Sequence, residues 1–383
     1  MLYIGFAVIL LFFSRFGAKR QARFLFNMFF FLFVALLCIR YGQGTDYFNY
    51  KRIYNATSLD YNSFWIKCFL LNVEPFYYLI NVFAKKNTLS FSFVIIASSV
   101  IMGYFCYKTI RTYSKSYFLS FFIFYVNYFS YYYSALRQVI AMCITTYAIY
   151  CFLDKRNLIK FMVMCFLAMM FHLSAVICLF VPLILKIGKI LRIDRLSYYI
   201  PFTFVLIISG VFFSRLLNFA AGLILKKYAA YQTTGFSLFA LFPVSVRFLC
   251  AVLALHTKSK YGANFSRIES EALVLYLLGS SFFFVLFTST VVSRLTDYFT
   301  VLEVIYFANA FPIKSIRKKS LTLCLTVFLF LTLFIKDLNA AQHQGGYYSK
   351  NPLNYPYITI FNKKAILDYR GDTKRMSDSL LFD

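Results

Sequence analysis

The chain has 383 residues, of which 61% are hydrophobic and only 14% are charged. A soluble domain has roughly 45–50% apolar and about 25% charged residues, so this composition excludes a soluble globular protein and indicates a polytopic membrane protein. The net charge of +26 does not indicate nucleic-acid binding, because the lysines and arginines cluster in short loops between apolar runs. The nine cysteines include no CxxC pair and no metal-ligand spacing, so neither a disulfide framework nor a metal centre is expected.

Apolar runs that approach the roughly 20 residues needed to cross a bilayer recur along the whole chain. They predict an all-α polytopic membrane protein with about twelve transmembrane helices. The predicted spans are Leu2–Phe13, Phe24–Ile39, Ser90–Tyr107, Tyr117–Ser130, Ala135–Leu153, Leu158–Phe171, Leu173–Leu185, Tyr198–Phe213, Ser237–His256, Ala272–Val292, Leu295–Phe311 and Leu321–Ile335.

Basic loops orient these spans. The loop after the first span carries Arg15, Lys19, Arg20 and Arg23 and no acidic residue. It is therefore predicted to be cytoplasmic, with the N-terminus outside. Basic turns then alternate with turns that lack basic residues, and the hairpin at His172 belongs to the second kind.

This topology divides the chain into a transmembrane domain, 1–335, and a C-terminal tail, 336–383, that is predicted to lie outside. Two long outer loops are predicted, at about 40–89 and 214–236. The first outer loop contains two amphipathic segments that are too short and polar to be spans, and we expect them to lie on the membrane surface or to re-enter part way. These segments are Asn62–Leu71 and Glu74–Ala84.

Several apolar runs end in a single polar residue that the topology places at the outer face: Arg40, Arg137, His172 and Arg294. Isolated cations at one depth of an apolar bundle are costly to keep. Their recurrence at the same face suggests a site for a large anion.

The first motif is Arg40-Tyr-Gly-Gln-Gly-Thr-Asp46-Tyr47. Its two glycines allow a tight backbone turn, and Arg40 offers a planar fork of donors suited to phosphate oxygens. Asp46 is a candidate general base or a partner for an arginine. The alternative is an interfacial turn with a snorkelling arginine and an aspartate cap.

The second motif is Arg137-Gln138 at the outer start of a span, after a run of tyrosines. Tyrosines are also expected in the aromatic belt of an ordinary membrane protein. We favour an arginine that faces a lipid-linked anion, because Arg137 begins a helix and a helix N-terminus adds its own attraction for phosphate.

The remaining charges are harder to assign. His172 could act as a base or be structural, and Arg294 could pair with Asp297 one turn later. Arg247 and Glu303 fall deep in predicted spans. We expect these two to form a structural pair in the interior of the bundle.

Taken in order, these motifs resemble the EpsG/Wzy family of O-antigen, capsule or exopolysaccharide repeat-unit polymerases. The resemblance covers roughly residues 1–340 and is carried by Arg40…Gly44-Thr45-Asp46-Tyr47…Tyr50, Glu74-Pro75-Phe76, Arg137-Gln138…Ala141, Phe171-His172-Leu173-Ser174-Ala175 and Arg294…Tyr298.

The resemblance implies a glycosyltransferase of the GT-C type in the bacterial inner membrane, with its active site on the periplasmic side. Such an enzyme transfers a growing glycan from undecaprenyl diphosphate to the terminal sugar of a lipid-linked repeat unit. Its implied partners are that lipid-linked oligosaccharide, the bilayer and a chain-length regulator protein. No metal, cofactor, nucleotide sugar or nucleic acid is expected.

The resemblance also implies roles for individual residues. Asp46 is favoured as the catalytic base, because in the GT-C type a carboxylate of the first outer loop takes this role, and His172 is the second candidate. The candidate diphosphate-binding residues are Arg40, Arg137 and Arg294. The candidate substrate-binding residues are Tyr47, Glu74, Gln138 and Tyr298, and Glu74 could organise an arginine.

Other functions remain open at this point. An O-antigen ligase would share the outer arginines and a histidine. A flippase of lipid-linked oligosaccharide would need cations along a path through the bundle and repeat symmetry, whereas the cations here gather at one face. A membrane acyltransferase would carry its histidine in a more polar segment. We rank the polymerase first, then the ligase, then the flippase.

Overall fold

The computed structural model describes residues 2–16, 20–209, 241–261, 265–286, 290–311, 316–344 and 357–369. Within these ranges the chain is helical, and the one isolated bridge, between Arg40 and Thr359, is the only extended pairing. The prediction of an all-α polytopic protein is confirmed for this part of the chain. The count of about twelve spans and the GT-C-like architecture stay predictions.

Five of the described helices are long and apolar enough to cross a membrane: Arg20–Ile39, Phe91–Tyr113, Leu136–Lys155, Leu173–Ile190 and Thr322–Asn339. Four shorter apolar helices accompany them: Leu2–Phe16, Tyr117–Asn127, Leu158–Met169 and Leu196–Ser209. All nine overlap predicted spans. Long runs of Phe, Leu, Ile and Val favour an apolar solvent, and there a segment must form a helix because its backbone N–H and C=O groups have no water to bind.

The chain forms two compact units. The first consists of Met1–Tyr147, Phe166–Leu173 and Phe330–Asp383. It holds α1 (Leu2–Phe13), α2 (Arg20–Ile39), α3 (Tyr47–Ala56), α4 (Phe64–Leu71), α5 (Pro75–Lys86), α6 (Phe91–Tyr113), α7 (Tyr117–Asn127), α8 (Phe129–Tyr133), the start of α9 (Leu136–Lys155), the end of α10 (Leu158–Met169), the end of α17 (Ile316–Gln344) and α18 (Ile366–Tyr369).

The second unit consists of Ala148–Cys165 and Ser174–Leu329. It holds the remaining parts of α9, α10 and α17, most of the 3-10 turns Leu173–Phe180, and α11 (Val181–Ile190), α12 (Leu196–Ser209), α13 (Leu241–Tyr261), α14 (Arg267–Leu286), α15 (Thr290–Thr300) and α16 (Glu303–Ala310).

Aromatic side chains form much of the core of the first unit. Along α2, Phe26, Phe30 and Phe33 are buried at helical spacing, so they share one face of the helix. The ring of Phe30 lies 5.0 Å from that of Phe121 on α7, and Phe26 stacks on Tyr107 of α6 at 5.8 Å. These contacts hold α2 against both neighbouring helices.

The first outer loop folds into three helices, α3, α4 and α5. The two predicted amphipathic segments correspond to α4 and α5, while α3 was not predicted because its sequence is too polar to stand out. Buried aromatic residues join the three helices to the start of α6. The opposite face of α4 is apolar and exposed, with Trp65, Ile66, Phe69 and Leu70 between 60% and 85% accessible.

Two predicted spans are wrong as continuous helices. Tyr117–Ser130 divides at Tyr128 into α7 and α8. Leu295–Phe311 divides into α15, which ends at Thr300, and α16, which begins at Glu303. At the second break the carbonyl of Leu302 accepts the backbone N–H of Tyr306 at 3.0 Å and also the hydroxyl of Tyr150, on α9, at 3.2 Å.

A cluster of charges joins three basic turns of the second unit that the sequence assigns to the cytoplasmic face. Glu271 is 5% exposed and accepts hydrogen bonds from Arg156 and, at 2.7 Å, from Lys189. Lys258 pairs with Asp194. The three turns therefore lie at the same end of this unit, as the topology requires, while the membrane side that they face stays a prediction.

Candidate functional site

The candidate site is built around Glu74, where the chain turns from α4 into α5. Asn72 ends α4 in the left-handed region, with φ of 51°, which reverses the chain direction. Glu74 is the residue before α5, and Pro75 occupies the first turn of that helix, a position where the missing N–H of proline costs nothing. The carboxylate of Glu74 is thereby held on a rigid corner.

Glu74 binds two of the predicted site residues at once. Its Oε2 accepts a hydrogen bond from Nη1 of Arg137 at 2.5 Å, and its Oε1 lies 2.8 Å from Nδ1 of His172. The backbone N–H of Leu173 also donates to Oε1, at 3.3 Å. Arg137 and His172 are 63 and 98 residues away in sequence, so the fold creates this cluster from three separate motifs.

Arg137 is oriented by its partners, and one of its donors makes no hydrogen bond among the described residues. Its Nη1 also donates to the carbonyl of Asn72 at 3.0 Å, whereas its Nε makes no hydrogen bond among the described residues. The guanidinium carbon lies 5.8 Å from the ring of Tyr50 and 6.0 Å from that of Tyr77, within cation–π range. Arg137 sits in the first turn of α9, the most buried of the five long apolar helices, so it projects from a rigid element.

His172 is held by the turn that follows α10. The N–H of Phe76 donates to the carbonyl of Met170 at 3.0 Å, and the rings of Phe76 and Phe171 make an edge contact at 5.6 Å. These contacts fasten the turn to the start of α5. Because an ionised carboxylate only accepts hydrogen bonds, Nδ1 carries the proton and Nε2 is the basic nitrogen. The side chain of His172 is 20% exposed.

The electrostatics of the cluster favour an ionised Glu74. Burial alone would raise the pKa of this carboxyl group, but the hydrogen bond from His172 and the positive charge of Arg137 outweigh burial and bring the pKa below its ordinary value. The carboxylate is thus available to hold both partners at neutral pH.

Asp46 precedes α3 and is linked to this cluster by Tyr50, which contacts both Asp46 and Arg137. The side chain of Asp46 is half-buried, and its carbonyl accepts the N–H of Tyr50 at 2.9 Å. Burial raises the pKa of Tyr50, the charge of Arg137 lowers it, and the charge of Asp46 raises it further. Asp46 and Arg137 therefore both act electrostatically on the same tyrosine.

Arg40 packs against the tyrosines that precede the second motif. Only 1% of it is exposed, its Nη1 donates to the carbonyl of Tyr132, and its guanidinium lies 5.2 Å from the ring of Tyr133. The Arg40 loop also approaches the backbone of Tyr133 closely at Gly44, which has a φ of +89°. A glycine is needed there, because an added Cβ would lie 2.2 Å from the carbonyl oxygen of Tyr133. The first and second motifs are thus packed against each other in the first unit.

Two other predicted residues are buried beside this cluster. Tyr47 is 2% exposed and packs edge-on against Tyr41 and Phe91, and Gln138, the neighbour of Arg137, is also 2% exposed. Both belong to the packing that supports the site in this structure. Their roles in substrate binding stay predictions.

Arg294 and Tyr298 lie in the second unit, on α15. Arg294 is exposed, while Tyr298 is fully buried and its hydroxyl lies 2.9 Å from Oγ of Ser174. Their predicted roles remain untested by this geometry.

The deep charges of the second unit form the pair that the sequence predicts. Arg247 lies 3.7 Å from a carboxylate oxygen of Glu303, and it also lies 3.8 Å from Asp297. The prediction of an Arg247–Glu303 pair is confirmed, and Asp297 is an additional partner that the sequence did not suggest.

No group of three or more histidine, cysteine or acidic side chains is arranged to hold a metal ion in the described ranges. The site residues that sequence reasoning missed are Asn72, Tyr50 and Tyr77. Tyr50 follows the first motif and is one of the residues that carry the family resemblance, and Tyr77 follows Glu74 by about one helical turn, so their spacing carried a weak signal. Nothing in the sequence indicates that Asn72 lends its carbonyl to Arg137.

Comparison with known proteins agrees with the motif order. A search of curated proteins and a search of solved structures each found no match. The family model of the EpsG family matches residues 23–358, a range that includes Arg40, Glu74, Arg137, His172 and Arg294. The chain therefore belongs to the EpsG family.

Proposed function

We propose that this membrane protein is a polysaccharide polymerase that acts at the periplasmic face of the bacterial inner membrane. It transfers a growing glycan from undecaprenyl diphosphate to the terminal sugar of a lipid-linked repeat unit. Family membership supports a polymerase-type membrane protein in polysaccharide synthesis. The Glu74 cluster supports the finer assignment, because it joins a positioned arginine to an oriented imidazole.

The single observation that carries this proposal is the bridging carboxylate. A carboxylate that accepts the Nδ1 proton of a histidine fixes the ring and its tautomer and stabilises the imidazolium that forms when Nε2 takes a proton. The same carboxylate fixes Arg137 about its Nη1 nitrogen and leaves Nε for another partner. The carboxylate of Glu74 thus positions both the proposed base, His172, and the proposed anion-binding residue, Arg137.

In the proposed reaction, Nε2 of His172 removes the proton of the acceptor hydroxyl. The hydroxyl oxygen forms a new bond to the anomeric carbon of the donor glycan. The bond from that carbon to the diphosphate oxygen breaks, and the diphosphate leaves on its lipid with the bonding electrons. Arg137 stabilises the negative charge that develops on the leaving oxygen, as preorganised cations do in other reactions of this kind.

Asp46 is the other candidate base. We place His172 first, because a carboxylate holds its ring at 2.8 Å and one nitrogen is left for the acceptor. Asp46 would act from the start of α3, beside Tyr50. Arg40 is proposed as a further cation for the diphosphate, and the role of Arg294 stays a prediction.

The experiment that tests the function is deletion and complementation of the gene in its own cell. The polysaccharide is then separated by length on a gel. Loss of the long polymer, with single repeat units still present at the surface, is expected. Complete loss of surface units would contradict a polymerase and favour a ligase or a flippase, and an unchanged polymer would contradict all three.

The residue-level test compares His172→Gln with Asp46→Asn in the complemented strain. General base catalysis contributes about 10²- to 10⁴-fold to a rate. We therefore expect His172→Gln to lose at least about 100-fold in polymer formation at a normal protein level. If Asp46→Asn shows that loss and His172→Gln does not, the assignment of the base is reversed.

A further inference from the structure

The C-terminal segment 357–369 packs against the end of α2 that leads into Arg40. The N–H of Ile360 donates to the carbonyl of Ile39 at 2.9 Å, and the N–H of Tyr41 donates to the carbonyl of Ile358 at 2.8 Å. These two bonds flank the antiparallel bridge at Arg40. The backbone of Arg40 is therefore held from both sides by residues more than 300 positions later in the chain.

The same segment completes the C-terminus of α2. The last four carbonyls of a helix have no partner within the helix. The hydroxyl of Tyr357 donates to the carbonyl of Leu36, and Ile360 supplies the donor to Ile39. Two of the four open carbonyls thus receive donors from this segment.

Side chains add to the attachment. Ile358 is 1% exposed and Ile366 is fully buried. Ile366 packs directly on Gly42, where an added Cβ would lie only 1.8 Å from its side chain. The ammonium group of Lys363 lies 5.5 Å from the ring of Tyr41. The segment therefore covers the loop that carries Arg40.

Arg40 itself lacks a full set of partners. It is 1% exposed, yet its Nε and Nη2 make no hydrogen bond among the described residues. Burying charged donors without partners is costly. Such donors favour the binding of an anion. The family match ends at residue 358, so most of the segment lies beyond the part that the family model covers.

We propose that segment 357–369 is a positioning element for the anion site, which fixes the Arg40 loop and shields Arg40 from water. In a water-poor setting the guanidinium interacts more strongly with a diphosphate oxygen than it would at an open surface. The identity of the anion rests on the function proposed above. The attachment of the segment to the Arg40 loop does not.

Limited trypsin digestion of the purified full-length protein tests the attachment. Truncation before Tyr357 should expose the Arg40–Tyr41 bond, and truncation before Arg370 is the matched control. The exposed bond after Lys86 serves as the internal reference. Relative to that reference, we expect cleavage after Arg40 to rise at least about tenfold in the longer truncation only, because proteolysis follows local opening.

Two single variants keep the test informative if the truncated protein does not accumulate. Tyr357→Phe removes one hydrogen bond and should raise cleavage after Arg40 by about fivefold. Ile366→Asp places a charge in the buried contact with Gly42 and should raise it further. Equal protection of Arg40 in every variant would overturn the proposed attachment.

Polymer formation in cells tests the link to the site. The truncation before Tyr357 should lose polymer at a normal protein level, and the truncation before Arg370 should not. An exposed Arg40 with normal polymer would overturn the positioning role. If deletion of the whole gene leaves the polymer unchanged, the polymerase assignment fails while the digestion result stands by itself.

Discussion

The two units each hold a cluster in which an arginine meets a carboxylate, and the clusters differ in geometry. In the first unit Arg137 makes a direct hydrogen bond to Glu74 at 2.5 Å, and the two side chains are 19% and 16% exposed. In the second unit Arg247 lies 3.7–3.8 Å from Glu303 and Asp297, and the exposed fractions are 12%, 1% and 6%.

This difference distinguishes a candidate functional site from a group of buried charges whose role is structural. Glu74 and Arg137 lie at helix ends and retain access, and a histidine shares their carboxylate. Arg247 lies within α13 and Glu303 is buried at the first residue of the short helix α16, where an unpaired charge is costly. A reaction needs side chains that are oriented by direct hydrogen bonds and remain accessible to a substrate. Longer contacts are sufficient where buried charges only need to neutralise one another.

Removal of one enclosed charge should produce the largest effect. Glu303→Ala leaves Arg247 with weaker compensation and should reduce the free energy of unfolding by roughly 3–5 kcal/mol. Thermal unfolding in detergent and the amount of protein in the membrane measure this loss. Asp154→Ala, which removes an exposed carboxylate on α9, is the control. A well-expressed but inactive Glu303→Ala would move that residue into the site.

Arg137→Ala should affect activity and spare the protein level. Loss of one preorganised charge costs on the order of 10²–10³ in rate, so long polymer should disappear while the protein stays in the membrane. Arg52→Ala on α3, which removes an exposed arginine, is the matched control. Normal polymer from Arg137→Ala would erase the proposed distinction between the two clusters.

Glu74→Gln should have a smaller effect on rate. The amide preserves the shape of the side chain but removes the charge that orients His172 and Arg137. Loss of charge-assisted hydrogen bonds worth about 1.5–3 kcal/mol corresponds to a roughly 10- to 100-fold slower reaction. The measurement is polymer formed per unit of membrane protein. An equal loss in Glu74→Asp would show that position matters as much as charge.

The smallest expected effect is the pH dependence of the difference in stability between wild type and Glu74→Gln. The folded-state pKa of Glu74 lies below its ordinary value of 4.5, so its contribution to stability is complete above that value. The contribution is lost as the pH falls from about 4.5 through the folded-state pKa. The difference in melting temperature between wild type and Glu74→Gln should therefore shrink below pH 4.5. A difference that persists unchanged in acid would contradict an ionised Glu74.

The sequence predicts the class of fold and most of the apolar helices, because composition and length decide them. It does not predict the break between α15 and α16, where Tyr150, from a distant part of the chain, donates to the carbonyl of Leu302. It also places Arg137 and His172 at one face without showing that they share a partner. Glu74 lies in a short amphipathic stretch, and only the folded corner at Asn72 brings its carboxylate to both.

The exposed apolar face of α4 has a practical consequence. Trp65, which is 70% exposed there, is the single tryptophan of the chain, so all indole fluorescence reports on this helix. If α4 rests in the headgroup region, where tryptophan is favoured, the emission should shift to shorter wavelength in vesicles, and brominated lipids should quench it. The protein thus carries its own optical probe of how deeply the first outer loop enters the bilayer.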